Sequence, residues 1–109
     1  MRGRVLIDRP FAWVDGRTWC HLWEENLDLR VLHAFARSIG LKRCWFHNRP
    51  GFPHYDVRAS MIARAIRRGA VQVNVAEWLQ ERSRRIRNFR IGQTMTQLQA
   101  KGWWDGGPR

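Results

Sequence analysis

HNRPGFPHYDV, residues 47–57, is the stretch on which the fold turns. Pro50, Gly51 and Pro53 oppose a regular ladder, so the segment reads as a loop. Asp56 at its end reads as the N-cap of a following helix. His47, Asn48, Arg49, His54, Tyr55 and Asp56 crowd into this one loop. Loops held by a rigid scaffold are frequent carriers of function.

Upstream, RVLI at 4–7 is a β-branched run that Pro10 stops, and Asp15-Gly16 marks a turn within a loop over 9–18. From Asn26, a plausible N-cap, Leu27, Val31, Leu32, Phe35, Ala36 and Ile39 recur at helical steps until Gly40. CWF at 44–46 reads as a second strand. Downstream, Met61, Ile62, Ala65 and Ile66 form the stripe of a helix that ends at Gly69, and VQV at 71–73 is a third strand. Asn74 with Glu77 resembles a capping box for a third helix that buries Val75, Trp78, Leu79 and Ile86. WCHLW at 19–23 leaves room for a fourth strand. The alternation predicts a small α/β domain of two or three layers over residues 1–90. It would hold a short parallel sheet of about three strands, three helices and a C-terminal extension. Residues 91–109 would be a helix or tail ending in Trp103 and Trp104.

The chain carries 20 Lys and Arg against nine Asp and Glu, a net charge of +11. All but Lys42 and Lys101 of those cations are arginine, whose planar fork grips phosphate or carboxylate with two donors. Residues 58–109 hold eleven basic and three acidic groups, so the second half is the basic half. Arg58, Arg64, Arg67 and Arg68 surround the second helix; Arg82, Arg84, Arg85, Arg87 and Arg90 crowd the third. ERSRRIRNFR has five arginines and one acid, with Phe89 among them, which fits binding to a polyanion or simply a solvated face. Seven Trp and five Phe argue against disorder. No run reaches the roughly 18 apolar residues of a membrane helix. MRGRVLIDRP does not read as an export signal, so a cytoplasmic location is expected, with Cys20 and Cys44 reduced and behaving as small buried hydrophobes.

In an open parallel sheet, ligands bind beyond the carboxyl ends of the strands. Asp8, His47 and Asn74 would lie at three such ends, and His54, Tyr55 and Asp56 would lead into a helix on the same edge. The six would form a crevice for phosphate or another ligand. His47, His54 and Asp56 are also candidate ligands for manganese or zinc, with Asp8, His54 and Asp56 as candidate catalytic groups. Each has a plainer reading: Asp56 as a cap, Asp8 as a turn residue, the histidines as unused loop polars. His33 beside the first helical stripe reads as a packed histidine.

The pieces LIDRP at 6–10, His21-Leu22, LHAFARSIGL at 32–41, Phe46, HYDV at 54–57 and Gly69-Ala70 resemble a bacterial and phage family known as domain of unknown function 4031. The resemblance spans roughly residues 5–80. It implies that Asp8, His21, His33, His54, Tyr55 and Asp56 belong to the family pattern, and it implies no activity. The arginines from Arg82 and the tryptophan tail fall outside it.

The expectation is therefore a phage-linked or bacterial protein that binds nucleic acid. If it is an enzyme, metal-assisted phosphodiester hydrolysis fits its groups best. The other expectation is a non-catalytic protein that blocks an acidic host surface, with Trp103 and Trp104 at the contact.

Overall fold

The computed structural model describes residues 3–14 and 16–100, of which 12–14 and 90–100 are described by backbone alone. Two compact units divide after Asn74.

The first unit is built on a six-stranded sheet. Its strands are β1 (Val5–Ile7), β2 (Ala12–Val14), β3 (Arg17–Glu24), β4 (Phe46–His47), β5 (His54–Arg58) and β6 (Val71–Gln72). The order is β4-β5-β3-β1-β6, with β2 also on β3. The class is α/β, as expected, but only β1 and β6 run parallel; every other pair is antiparallel. The parallel three-strand expectation fails because WCHLW lies inside an eight-residue central strand. That strand pairs along one edge with β1 and β2 and along the other with β5. Antiparallel neighbours need only short turns, so the loop read over 9–18 holds one strand and the start of the next.

The second correction concerns the opening stretch. His54–Arg58 is not a loop end and Asp56 caps nothing: HYDVR is an inner strand between β3 and β4. Pro53 ends the irregular stretch, and past it His-Tyr-Asp-Val-Arg alternates, which is the period of a strand. Tyr55 and Val57 enter the core while His54, Asp56 and Arg58 take the opposite face.

Helix α1 (Leu29–Ser38) and the short α2 (Ile62–Arg67) contribute to the core on one side. Asp28, not Asn26, caps α1, its Oδ1 accepting from the N–H groups of Arg30 at 3.0 Å and Val31 at 3.4 Å. Gly40, at φ 88°, closes it as the sequence suggested. Leu32, Ala36 and Ile39 of this segment pack with Val5 and Ile7 of β1, Cys20 and Leu22 of β3, and Tyr55 and Val57 of β5. CWF resolves into a 3-10 turn over Arg43–Trp45 before β4.

In the second unit, α3 runs from Val75 to Ala100, through the predicted third helix and into the expected tail. Its exposed Leu79, Ile86 and Phe89 form no buried stripe. Glu81 accepts two donors from Arg84 and one from Arg85, so part of the expected cation repulsion is offset within the helix. Arg82 lies over the Trp78 ring at 5.7 Å. Trp103 and Trp104 lie outside the described residues. No helix among the described residues is long and apolar enough to cross a membrane.

Candidate functional site

Four adjacent strands bring one cluster onto the sheet face opposite the α1 core. In register, His47 of β4 faces His54 of β5, and Asp56 of β5 faces His21 of β3. Side chains directly opposite in an antiparallel pair lie within contact of each other, so the pairing alone assembles three histidines and a carboxylate.

Asp8 arrives from the next strand by a bulge. The β1–β3 and β2–β3 registers differ by two residues, and the extra chain is Arg9-Pro10, just past Asp8, whose N–H still donates to the His21 carbonyl. Pro10 lacks the N–H a ladder requires, so pairing breaks there, and such bulges re-aim a side chain. The Asp8 carboxylate turns to His21: Oδ1 accepts the His21 backbone N–H at 2.6 Å, and Oδ2 lies 2.6 Å from Nδ1. Asp8 is 1% exposed, and its charge is met by these two donors. Phe11, beyond the bulge, stacks on the His21 ring at 3.9 Å, and Phe52 stands edge-on to it at 5.4 Å.

Hydrogen bonding fixes the tautomers. His54 Nδ1 lies 2.7 Å from the Phe52 carbonyl, which only accepts, so Nδ1 carries the proton. His21 Nδ1 likewise donates to Asp8. The Nε2 atoms of both rings are therefore free to offer lone pairs. One ligand atom from each of His21, His54 and Asp56 lies within 4.8 Å of the other two.

His54 Nε2 lies 3.2 Å from Asp56 Oδ1, and Oδ1 is buried with no hydrogen-bond donor among the described residues. Burial holds the His54 pKa below its ordinary value, against the Phe52 carbonyl and Asp56, which raise it, and with His21 and His47, which lower it. A neutral His54 then turns a lone pair toward a carboxylate oxygen. Two acceptors at this distance repel unless a cation lies between or beside them. Asp56 Oδ2 faces His47 Nε2 at 3.1 Å, and His47 is the exposed member of the group.

Of the six residues expected in the crevice, Asp8, His47, His54 and Asp56 come together. Tyr55 does not: it points into the core, 1% exposed, with its hydroxyl 2.8 Å from His33 Nδ1. Burial raises its pKa, and burial followed by the Arg43 charge lowers that of His33. Asn74 follows Val73, whose N–H donates to the Ile7 carbonyl, which puts it past the end of the β1–β6 pair. The ligand atoms that lie together belong to His21, His54 and Asp56, whereas the sequence pointed to His47, His54 and Asp56. The signal for His21 was present: in TWCHLW, Cys20 and Leu22 alternate with Trp19, His21 and Trp23, so a strand there puts His21 on the polar face.

Of the nine arginines, Arg58 continues the site's face, and Arg64 donates to the Ile39 carbonyl at 3.4 Å. Arg58, Arg67, Arg68 and Arg87 have no acidic partner among the described residues. Cys20 is buried, with its thiol pKa pushed up to about 12 by burial and then by the charges of Asp8 and Asp56. Cys44, contrary to expectation, is exposed.

Fold and cluster define a small α/β domain with a two-histidine, one-carboxylate constellation on the face of its sheet. The chain belongs to the family described as "Protein of unknown function (DUF4031)", matched over residues 5–86. The match takes in Arg82, Arg84 and Arg85, which the sequence resemblance left outside. No curated protein and no solved structure matches the chain.

Proposed function

We propose that this protein binds a divalent cation through His21, His54 and Asp56 and uses it to hydrolyse phosphodiester bonds of nucleic acid. The observation that carries the reading is the meeting of three ligand atoms within 4.8 Å, with both histidine Nδ1 atoms committed to acceptors elsewhere. Metal-binding histidines usually donate their second nitrogen to a carboxylate or carbonyl, which fixes the ring and strengthens the ligand. Asp8 and the Phe52 carbonyl have that relation to His21 and His54.

Two imidazoles and a carboxylate suit zinc, manganese or iron(II). Bound there, the ion would supply Lewis acidity and a water of lowered pKa. His47, exposed and on the second oxygen of Asp56, is placed to accept or return a proton at the solvent side. Arg58, on the same face and free of acidic partners, is suited to a phosphate. The net charge of +11 supports a polyanionic substrate.

The test is cleavage of labelled single-stranded DNA, duplex DNA and RNA by chelator-treated protein resupplied with zinc, manganese or iron(II). Cleavage restored by one of these ions and absent in Asp56→Asn is expected. Metal-loaded, folded protein that binds the strands and leaves all of them intact would overturn the hydrolytic part of the reading.

A further inference from the structure

Beside the cluster lies a cavity of about 750 Å³ that belongs wholly to the first unit. His47 and Asp56 form part of its wall, so it adjoins the cluster at Asp56, the one proposed metal ligand that lines it. Pockets of roughly 300–1,000 Å³ are the size that encloses most of a small organic ligand. Aliphatic Ile39, Leu41, Val57 and Met61 line part of the remainder. Phe11, Trp19 and Trp45 contribute aromatic surface, and Arg58 and Arg64 contribute cations. Asp56 is the one acidic residue among the lining residues.

Two of the aromatics are left uncovered. Trp45 is 44% exposed, with Lys42 5.7 Å from its ring centroid. Phe11 is 49% exposed although it stacks on His21, so the His21 ring covers part of it and the remainder faces outward. Large aromatic surfaces left in water beside arginines are what single-strand binders use, since every base has a π-face and every linkage a charge.

We infer that this cavity receives an unpaired base of a single-stranded nucleic acid, its neighbouring phosphate lying between Arg58 and the metal ligands. The inference rests on the metal reading for the phosphate's position, but base recognition stands on the aromatic wall alone. A base stacked inside a duplex cannot enter a concave pocket without being flipped out, which costs a few kcal/mol. Single strands are therefore preferred. A base held against the aromatic wall would leave its phosphate within reach of Arg58 and of a cation held at Asp56.

Cys44 provides a reporter. It is a free, exposed thiol in the cavity wall, whereas Cys20 is buried. Alkylation of Cys44 is followed in the full chain with a short oligothymidylate, an abasic strand of the same length and charge, the matching duplex, and an oligoglutamate peptide as probes. Affinities are measured in parallel by anisotropy, each with chelator and with saturating zinc. The oligothymidylate is expected to bind roughly tenfold or more tightly than the abasic strand, the span that stacking of a base supplies. It alone should slow alkylation, and Trp45→Ala should remove both differences while leaving abasic binding in place. Trp45 is exposed, so its removal leaves the core intact.

Equal affinity for the two strands, or equal protection by the oligoglutamate, overturns the inference. The metal reading fails separately: zinc then changes neither affinity, while the base-dependent difference persists in chelator. If instead zinc strengthens both strands alike and the base makes no difference, the metal reading stands and the base pocket falls.

Discussion

Replacing Asp56 by asparagine separates a metal ligand from a structural ion pair, because the two roles predict opposite signs. In the metal-free protein at neutral pH, burial keeps His54 neutral. Its Nε2 lone pair then faces the unpartnered Asp56 Oδ1 at 3.2 Å. A buried acceptor without a donor costs about 1–3 kcal/mol. An asparagine amide would place an N–H donor in that position and recover a hydrogen bond of about 0.5–1.5 kcal/mol. The Asp56 side chain is 34% exposed, so solvent takes part of this and the lower end applies. The expected effect in chelator is stabilisation of about 1 kcal/mol, or roughly 4–8 °C in melting temperature for a unit of this size. With metal at a hundredfold over its dissociation constant, the wild type should gain about 2.7 kcal/mol and the variant nothing. Circular dichroism melts of both proteins, with chelator and with zinc, read all four values. If Asp56→Asn is destabilised by 1 kcal/mol or more in chelator, Asp56 is paired with a protonated histidine and the reasoning is refuted.

Asp8→Asn keeps an acceptor for the His21 backbone but sets an amide donor against Nδ1. The His21 ring loses its fixed tautomer, and metal affinity should fall ten- to a hundredfold in calorimetric titration without loss of fold. Tyr55→Phe removes the hydroxyl from His33, on the core side of the sheet. It should cost about 1 kcal/mol of stability and leave metal affinity unchanged; altered affinity would return Tyr55 to the site. His33 and His54 both have folded pKa values below their ordinary 6.5. The unfolded chain therefore binds more protons, and metal-free stability should be full above that pH and fall as pH drops through and below it, by at most about 1.4 kcal/mol per pH unit for each group. Melts taken in chelator from neutral pH to mild acid would contradict this if stability were flat or rose. Affinity for single-stranded DNA should drop steeply with salt, and Arg58→Ala should shallow the slope by about one; an unchanged slope would remove Arg58 from the phosphate path.

Much of the first helix could be read in the sequence, because Leu32, Ala36 and Ile39 keep a helical period and Gly40 marks the stop. The α/β class followed from the same alternation. What failed was the reading of HYDVR. Proline and glycine at 50, 51 and 53 dominate the segment, and a cap-forming Asp at 56 fits a helix start as well as a strand interior. The His-Tyr-Asp-Val-Arg alternation decides it, yet a five-residue period carries little weight until a partner strand is known. That partner is β3, more than thirty residues away, with His21 opposite Asp56. Strand pairing at such distance is set by the collective burial of both faces, and no local pattern encodes it. Asp8 illustrates the same limit: Pro10 signalled a stop, and the stop proves to be a bulge that turns a carboxylate onto a histidine of the neighbouring strand. The residues of the cluster are thus visible in the sequence while their assembly is not, so His21 enters only through the family resemblance and Tyr55 is read into the crevice.

The central claim is that His21, His54 and Asp56 hold one divalent ion. Isothermal titration of zinc into chelator-stripped protein at neutral pH tests it most directly, with Asp56→Asn and His21→Gln run beside the wild type. The account predicts saturable binding of one ion per chain, lost or severely weakened in both variants while each still melts cooperatively. Absence of saturable binding to the folded wild type, or binding that both substitutions leave unchanged, would contradict it.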